Sequence, residues 1–556
     1  MTSLFAQIVK AFSKKERLIA LGATVVFLVS GLLLAMTIIS QKTTLVPDEG
    51  GTYTEGIVGQ PSFVNPLLAK SGTPDADLIE LTFASAKDMA ESIKHSDDFK
   101  TWNLRIKAGA VWNDGTPITS DDIIFTIQTI QNPDTLSPLF PDWQNITVSR
   151  VSEREAQFDL AGGYSMFENI LADLRPVPKK LFADLSPAHL KLSPYMLEPI
   201  GSGPFMYDSL EKRRDGFIAS YNLKSNEAYA AISQPPHIKN LTIDFYENSD
   251  NLIKAYNLGV IDGFGTYDKT ILSQIKLNST IMSLPSTKYY SISFNQSANP
   301  SLASTNIRQA LTMAIDRNGI VQNIFGGDAS PENGPIPSSL HSYDPEVESY
   351  DRFDPQAAES LIQKDGWSLD PSSNLWTKKS KDSITTLSVT ITAPNISPLN
   401  DIAKYVQSQW NNIHVQTDVS LIDPQQIDDT IIRTRNYEAL LFGNVVSLTP
   451  DLYSLWHSTQ KFYPGANLSL YDNSLADQTI EAIRNIDVGS DRRKTQLDQL
   501  QNIIAKDVPA AFIVSPDYFY IHKHNISGIS IGTITLPESR FDKITDWYVK
   551  TKRVLK

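Results

Sequence analysis

The hydrophobic pattern of the chain changes at about residue 40. Residues 18–39 form an uncharged apolar run, long enough for a membrane span, which needs about 20 apolar residues as a helix. Basic residues precede this run: Lys10, Lys14, Lys15 and Arg17. The positive-inside bias therefore predicts a cytoplasmic tail at 1–17, a transmembrane helix at 18–40 and a large domain outside the cytoplasm.

A cleaved signal peptide is the alternative interpretation of the same run. No small-x-small cleavage site follows it, and it is longer than the usual apolar core of a signal peptide, which favours an uncleaved anchor in the cell membrane. The next residues, 41–51, are predicted to be a polar linker containing Pro47, Gly50 and Gly51. Fully extended, this linker would reach about 35–40 Å, so the large domain would stay near the bilayer.

Strand and helix patterns alternate from Gly51 to the end of the chain. Strand-like segments are found at 289–294, 387–392 and 511–520. Helical periodicity is found at 307–325, 473–488 and 492–505. Asp354 is expected to cap a further helix at 355–364. The pattern predicts an α/β or α+β protein with more than one lobe.

Composition and charge narrow the possible functions. The 556 residues are enough for roughly three or four domains. A net charge of -13 argues against a nucleic-acid partner, because such proteins neutralise phosphates with Lys and Arg. The chain has no cysteine, which excludes disulfides, thiolate catalysis, cysteine-based metal centres and a lipid-modified cysteine anchor.

Eight segments carry motifs in a fixed order along the chain. The two most informative are 102–127, which reads WNLRIKAGAVWNDGTPITSDDIIFTI, and 306–321, which reads NIRQALTMAIDRNGIV. The other six are SFVNPLL at 62–68, GSGPF at 201–205, YSISFN at 290–295, GPIP at 334–337, FDPQAAESLIQKDGW at 353–367 and a helical pair with a final proline at 472–509. In this order they resemble the motifs of bacterial extracellular solute-binding proteins of the oligopeptide/dipeptide (nickel) ABC-transporter type.

The resemblance implies a fold and a mechanism. The fold would be a two-lobed α/β clamshell of the type II periplasmic-binding-protein kind, with an extra subdomain, after one N-terminal transmembrane helix. Its parts would be lobe I at 52–288 with the subdomain at about 84–199, lobe II at 289–513, and a C-terminal return to lobe I at 514–556. Hinge closure around a peptide or other small solute would present the ligand to an ABC-transporter permease. The expected protein is a membrane-anchored monomer, not an enzyme, with no cofactor, metal site or catalytic residue.

The resemblance also supplies candidate ligand-binding residues. Peptide binders of this family commonly carry a carboxylate for the peptide amino group in a loop that corresponds here to 442–451. The family's aspartate falls on Ser447 and its tryptophan on Asn444, so a free amino group would lose a charge-assisted hydrogen bond of about 1.5–3 kcal/mol. Another acid replaces that carboxylate, or the ligand is not a peptide with a free N-terminus. The candidates are Asn65, Tyr290, Asn295, Phe442, Asn444 and Ser447, and core packing or loop hydrogen bonding is the alternative role of each.

Two other classes of protein stay open at this stage. An enzyme would need a catalytic motif, and the sequence contains no HExxH, GxSxG, phosphate-binding P-loop or GxGxxG. A hydrolase with paired carboxylates is still possible. A sensor or scaffold that kept the clamshell without transport is the other alternative, and nickel- or haem-binding relatives also remain open.

Overall fold

The computed structural model describes residues 13–347, 352–380 and 383–555. Its first element, α1 (Lys14–Lys42), contains the predicted transmembrane segment. Within α1, Lys14–Leu34 has a mean hydropathy of 2.2 and is not buried against the rest of the chain. By length and composition this helix can cross a membrane. Residues 1–12 of the predicted cytoplasmic tail lie outside the described residues.

A two-stranded ribbon follows α1 directly and joins the segment after this helix to the last strand of the described chain. Strand β1 (Thr43–Asp48) pairs antiparallel with the last strand, β22 (Lys550–Leu555). Thr43 lies opposite Leu555 and Asp48 opposite Lys550. The segment predicted as a polar linker is therefore extended and paired over most of its length, because the end of the chain returns to it.

The first lobe is built on a seven-stranded mixed sheet. Its strands are β2 (Thr52–Val58), β7 (Phe205–Lys212), β8 (Ile218–Ser225), β9 (Asn240–Tyr246), β10 (Gly263–Thr266), β11 (Ser279–Leu284) and β21 (Tyr518–Lys523). Their order is β11-β21-β10-β2-β9-β8-β7, with β2 central and parallel to both β9 and β10. Two helices, α2 (Pro74–Thr82) and α8 (Ser249–Asn257), contact β7 and β2 respectively.

A four-stranded antiparallel sheet forms a subdomain within the sequence of the first lobe. It contains β3 (Ala90–His95), β4 (Thr101–Ile106), β5 (Ile146–Ser152) and β6 (Glu155–Leu160), in the order β3-β4-β6-β5. Its helices are α3 (Ala86–Met89), α4 (Ser120–Gln131), α5 (Phe140–Trp143), α6 (Phe167–Asp173) and α7 (Lys179–Phe182). Trp102, Trp143, Phe158 and Phe167 pack their rings together in its core, with the Phe158 and Phe167 centroids 5.3 Å apart. These aromatic contacts bury the large apolar area that a small sheet needs.

The second lobe is built on a six-stranded sheet with a three-stranded sheet beside it. The large sheet contains β12 (Lys288–Phe294), β13 (Ala329–Pro331), β17 (Ser388–Pro394), β18 (Gln416–Ile422), β19 (Ala439–Val445) and β20 (Ala510–Pro516), in the order β13-β20-β12-β19-β17-β18. The small sheet contains β14 (Ser368–Asp370), β15 (Leu375–Lys379) and β16 (Ile384–Thr386). The sheet-forming segments predicted at 289–294 and 387–392 lie in β12 and β17.

Where the second lobe is described, it contains seven α-helices. They are α9 (Thr305–Met313), α10 (Arg317–Asn323), α11 (Pro355–Lys364), α12 (Leu399–Asn412), α13 (Tyr453–Trp456), α14 (Ser474–Arg484) and α15 (Asp491–Asp507). The predicted cap of α11 is confirmed, since the Asp354 side chain accepts a hydrogen bond from the Ala357 amide. The helical periodicity at 307–325 corresponds to two helices, α9 and α10, because Asp316 accepts from the Gly319 amide and starts a second helix there. A local side-chain cap competes with apolar periodicity, which continued unbroken across this position.

Two short connections join the lobes. Residues 285–287 lead from β11 in the first lobe to β12 in the second, and Asp517 leads from β20 back to β21. Serine hydroxyls tie the two connections together: Ser515 Oγ donates to the Ser286 and Lys288 carbonyls at 3.0 and 2.7 Å, and Ser286 Oγ donates to the Pro516 carbonyl at 2.7 Å. Few residues cross between the sheets, which is the arrangement of a hinge.

Candidate functional site

One end of the second-lobe sheet faces the hinge, and the candidate site is built there. Strand β12 begins at this end, while β19 and β20 finish at it, because both run antiparallel to β12. Lys288 lies opposite Val445, and Tyr290 lies opposite Gly443. The loop 446–450, which contains Ser447, continues from the end of β19. Residues at these strand ends therefore lie between the two lobes.

Three of the predicted ligand-binding residues lie on adjacent strands at this end. Phe442 and Asn444 are half-buried on β19, and Asn444 Nδ2 donates to Ser291 Oγ at 3.1 Å. Tyr290 is only 3 % exposed and lies on the opposite face of the sheet, in the core of the second lobe. Ser447 is exposed, and its hydroxyl donates to the Thr449 carbonyl. A ligand role for these side chains stays a prediction.

The other two predicted residues lie apart from this group. Asn65 is buried in the first-lobe loop, where its Oδ1 accepts from the Leu67 amide at 2.9 Å. Asn295 is buried beyond the far end of β12, where its Nδ2 donates to the Arg435 carbonyl at 3.0 Å. Both side chains hold local backbone in place, and their role toward a ligand also stays a prediction.

Lys288 was not among the sequence candidates, although it lies closer to the hinge than any of them on β12. Its Nζ is 4.8 Å from the ring centroid of Tyr267, which belongs to the first lobe. It is 5.2 Å from the ring of Tyr290, which belongs to the second. A sequence signal was present, since Lys288 is the only charged residue between Pro285 and Pro300. Nothing in the sequence, however, brings Tyr267 to it.

A pocket of about 730 Å³ opens elsewhere between the lobes. The first lobe contributes Phe63 and Leu68, and its subdomain contributes the segment 132–141 and Lys191. The second lobe contributes Tyr463 and Pro464. The volume lies within the range of about 300–1,000 Å³ that is usual for small-molecule sites, and such sites are commonly apolar. Phe63 is held by Asp75, whose carboxylate accepts from the Ser62 amide at 2.8 Å and from the Phe63 amide.

In the described chain, Arg484 is one of two second-lobe arginines that contact the subdomain; the other, Arg493, reaches Met166. The Arg484 guanidinium lies 4.4 Å from the ring centroid of Tyr164 in the subdomain and 4.5 Å from that of Tyr453 in the second lobe. It is also 3.4 Å from Asp451. The Ser165 amide donates to the Arg484 carbonyl at 2.7 Å. We call Tyr164, Arg484 and Tyr453 the arginine latch, and it holds the lobes in contact.

A buried acid lies on the second-lobe side of the hinge. Glu332 is 1 % exposed and accepts from the Ser338 amide and hydroxyl at 2.9 and 3.0 Å. Burial raises the pKa of Glu332 to about 8, and these hydrogen bonds only partly oppose that rise. A protonated carboxyl at neutral pH is thus built into the lobe.

The described residues offer no group of three or more His, Asp or Glu side chains placed to hold a metal ion.

Comparison with curated proteins finds binding proteins of transport systems. The chain is 25% identical over 509 residues to the oligopeptide-binding protein AppA of Bacillus subtilis (strain 168), covering 88% of this chain and 90% of that protein. It is 23% identical over 395 residues to the dipeptide-binding protein of Escherichia coli (strain K12), covering 65% of this chain and 70% of that protein. Both relatives are named as peptide-binding proteins.

Comparison with solved structures agrees on the fold. The structure of Bacillus subtilis AppA in complex with a nonapeptide matches with a TM-score of 0.71 at 22% identity, covering 91% of this chain and 100% of that one. The structure of NikZ from Campylobacter jejuni in complex with Ni(L-His) matches with a TM-score of 0.72 at 21% identity, covering 89% and 99%. The predicted type II periplasmic-binding-protein fold is confirmed. The family description "Bacterial extracellular solute-binding proteins, family 5 Middle" matches residues 85–464. That match covers more than half of the sequence, so the chain belongs to the bacterial extracellular solute-binding proteins of family 5, as its motifs predicted.

Proposed function

We propose that this chain is a membrane-anchored receptor outside the cytoplasm that closes around a peptide or a peptide-sized solute and delivers it to an ABC-transporter permease. The observation that carries this proposal is the pair of sheets joined by two short connections, with a pocket of about 730 Å³ lined from both lobes. A ligand in that pocket contacts both lobes only when they are together. It therefore favours the closed state by its differential affinity.

The peptide part of the proposal is supported by the relatives. Two of them are named for oligopeptide and dipeptide binding, and one solved structure contains a nonapeptide. The exposed end of β19 also suits an extended peptide, because a peptide backbone can pair with strand edges while its side chains are only weakly discriminated.

The anchor part of the proposal is supported by α1 and the ribbon. An apolar helix that no other part of the described chain covers is stable in a lipid environment. The ribbon of β1 and β22 then places both ends of the globular part beside the bilayer. We propose that the receptor works as a tethered monomer, which keeps it within reach of a membrane permease.

Closure can be measured directly, because the chain has no native cysteine. Exposed Asp97 in the subdomain and Asp428 in the second lobe are replaced by cysteine and labelled with a fluorophore pair in the full-length protein in nanodiscs. Tri-, penta- and nona-alanine are the probes. We expect at least one of them to shorten the distance between the labels as it binds.

The matched control places both labels in the first lobe, at Asp97 and Glu211. That distance should not change, because the lobes move as rigid bodies. An unchanged interlobe distance, together with no heat of binding for any peptide length, would show that the chain is not a peptide receptor.

A further inference from the structure

The Lys288 side chain lies where the chain enters the second lobe from the first. Lys288 is the first residue of β12, immediately after the connection from the first lobe, and it is half-buried. Its neighbour across the sheet, Val445, is two residues before the exposed Ser447. The ammonium thus lies at the junction of both lobes and beside the loop that continues from β19.

Two aromatic rings and a glycine place this side chain. Tyr267 and Tyr290 put their rings 4.8 and 5.2 Å from Nζ, one from each lobe. Tyr267 is itself fixed by an edge-on contact with Tyr518, the first residue after the second connection. The lysine stem passes beside Gly443 of β19, where a Cβ would lie 3.4 Å from Lys288 Cε.

No anion of the described chain faces this cation. None of the ion pairs or side-chain hydrogen bonds in that part of the protein uses Lys288 Nζ, and burial alone lowers the pKa of Lys288, with no charged neighbour among the causes. Aromatic faces attract an ammonium, but they leave its three N–H donors without strong acceptors. A partly desolvated charge normally has an oppositely charged partner, since removing it from water is unfavourable.

We propose that Lys288 is an anion-binding point in the cleft and that the solute carries a carboxylate that pairs with it. This inference rests on the proposed receptor function and specifies its ligand class. The carboxylate accepts charge-assisted hydrogen bonds from Nζ, while Tyr267 and Tyr290 flank the pair from the two lobes. The nearby Ser447 is neutral, so the same place offers no counter-charge to a protonated amine. Closure of the lobes would press Tyr267 of the first lobe against the bound carboxylate. Water would then be excluded from the ion pair between the carboxylate and Lys288.

The test uses the full-length protein in nanodiscs and four forms of tri-alanine. These carry a free carboxylate only (N-acetylated), a free amine only (C-terminal amide), both charges, or neither. Binding is measured by calorimetry for wild type, Lys288→Met, Lys288→Gln and Lys288→Arg. Lys276→Met is the matched control, because Lys276 is an exposed lysine close by in sequence in the first lobe. Thermal unfolding verifies that each variant is folded. If Lys288→Met does not fold, Lys288→Gln replaces it as the uncharged variant.

We expect the carboxylate-only peptide to bind more tightly than the amine-only peptide. Removal of the charge at Lys288 should weaken carboxylate-bearing peptides by about 10- to 100-fold and leave the peptide with neither charge unchanged. Lys288→Arg should retain most of the affinity, and Lys276→Met should behave as wild type. Equal binding of carboxylate-bearing peptides by wild type and Lys288→Met, or a preference for the amine-only peptide, overturns the inference and leaves the peptide receptor standing.

If no form of the peptide binds, the peptide part of the proposed function fails. The anion-binding role of Lys288 is then tested separately with succinate. Stabilisation of the wild type by succinate in a thermal shift assay that is lost in Lys288→Met and kept in Lys276→Met would assign the site to a free organic acid. Absence of such a difference would overturn the anion-binding role.

Discussion

At the residue scale, the first lobe is held by a buried ionic group. Glu55 and Arg540 are fully or almost fully buried, and Arg540 Nε donates to Glu55 Oε1 at 2.9 Å. Arg540 also pairs with Asp77, and the hydroxyls of Tyr53 and Tyr520 donate to Glu55 at 2.6 and 2.9 Å. The group ties the C-terminal segment to β2 and α2. Removing one member leaves buried charges without a partner, which is far more harmful than losing a surface pair.

The substitution Arg540→Met should therefore destabilise the protein by about 3–5 kcal/mol. The measurement is the free energy of unfolding from urea denaturation. The matched control is Arg105→Met, because Arg105 is exposed and pairs with Glu91 at 3.2 Å on the surface, where a loss of about 0–1 kcal/mol is expected. Similar losses for the two variants would contradict the structural role of Arg540. Adding Glu55→Gln and Asp77→Asn to Arg540→Met should recover part of the stability.

Glu332 predicts a pH dependence of stability. Its pKa of about 8 in the folded protein is above that of a free glutamate, so the folded state binds more protons than the unfolded state between roughly pH 4.5 and 8. Its contribution to stability therefore falls as the pH rises through that window, by at most about 1.4 kcal/mol per pH unit.

We expect Glu332→Gln to match the wild type near pH 4.5 and to be more stable than it near pH 8. The measurement is the urea midpoint at several pH values. Glu153→Gln is the control, because Glu153 is exposed, and it should leave the pH profile unchanged. A constant difference between Glu332→Gln and wild type at all pH values would show that Glu332 does not titrate in this window.

At the element scale, the arginine latch joins the loop before α6 to the end of α14. The guanidinium of Arg484 lies between the rings of Tyr164 and Tyr453, and each cation–π contact contributes about 0.5–2 kcal/mol. Tyr453 and Arg484 belong to one lobe, so opening the cleft keeps them together and separates Arg484 from Tyr164 and from the Ser165 amide. The latch is thus a contact of the closed arrangement that needs no ligand.

The substitution Arg484→Ala should raise the ratio of open to closed protein by about 2- to 30-fold, which corresponds to losing one such contact. The Asp97 and Asp428 label pair reports this ratio without ligand. Arg213→Ala is a close control, because Arg213 lies 4.4 Å from the Phe217 ring and pairs with Asp215 at 2.8 Å, all within the first lobe. Equal distance distributions for the two variants would show that the latch does not hold the lobes.

At the scale of the whole molecule, α1 and the ribbon set the distance between the cleft and the membrane. The chain leaves α1 at Lys42 and enters β1 at Thr43, and Leu555 of β22 lies opposite that first residue. Lys552 pairs with Asp48 at 3.0 Å within the ribbon, and Lys239 of the first lobe pairs at 2.9 Å with Glu49, the residue after β1. The tether is consequently shorter than a free linker of the same length.

We expect the mature protein to keep its original N-terminus and to stay in the membrane pellet after alkaline carbonate extraction. The reason is that a helix with a mean hydropathy of 2.2 over 21 residues is long enough to span the bilayer. The measurements are the intact mass and the extraction assay. A version in which residues 1–40 are replaced by a cleavable leader should be recovered as soluble protein. A mature wild-type chain that begins after residue 40 would show that the run is a signal peptide.

Local features explain why much of the fold could be predicted. The strand at 289–294 and the paired helices near the C-terminus follow from residue periodicity, and the cap at Asp354 follows from a side chain three residues from its partner. Apolar periodicity does not mark the boundary at Asp316, because the capping side chain there interrupts a pattern that continues on both sides. The candidate site was harder to predict from the sequence. Three of the candidates, Asn65, Tyr290 and Asn295, lie in family motifs, but in the fold their side chains make local hydrogen bonds or pack in the core.

The sequence by itself determined the apolar N-terminal helix, the family and the order of the main elements, because these depend on patterns within a few tens of residues. Only the tertiary structure decided that β22 pairs with β1, that Tyr267 meets Lys288 and that Arg484 meets Tyr164. Each of these contacts joins residues from different elements, and two of them join different lobes. Their formation depends on how whole sheets are placed relative to one another, which no local pattern along the chain encodes.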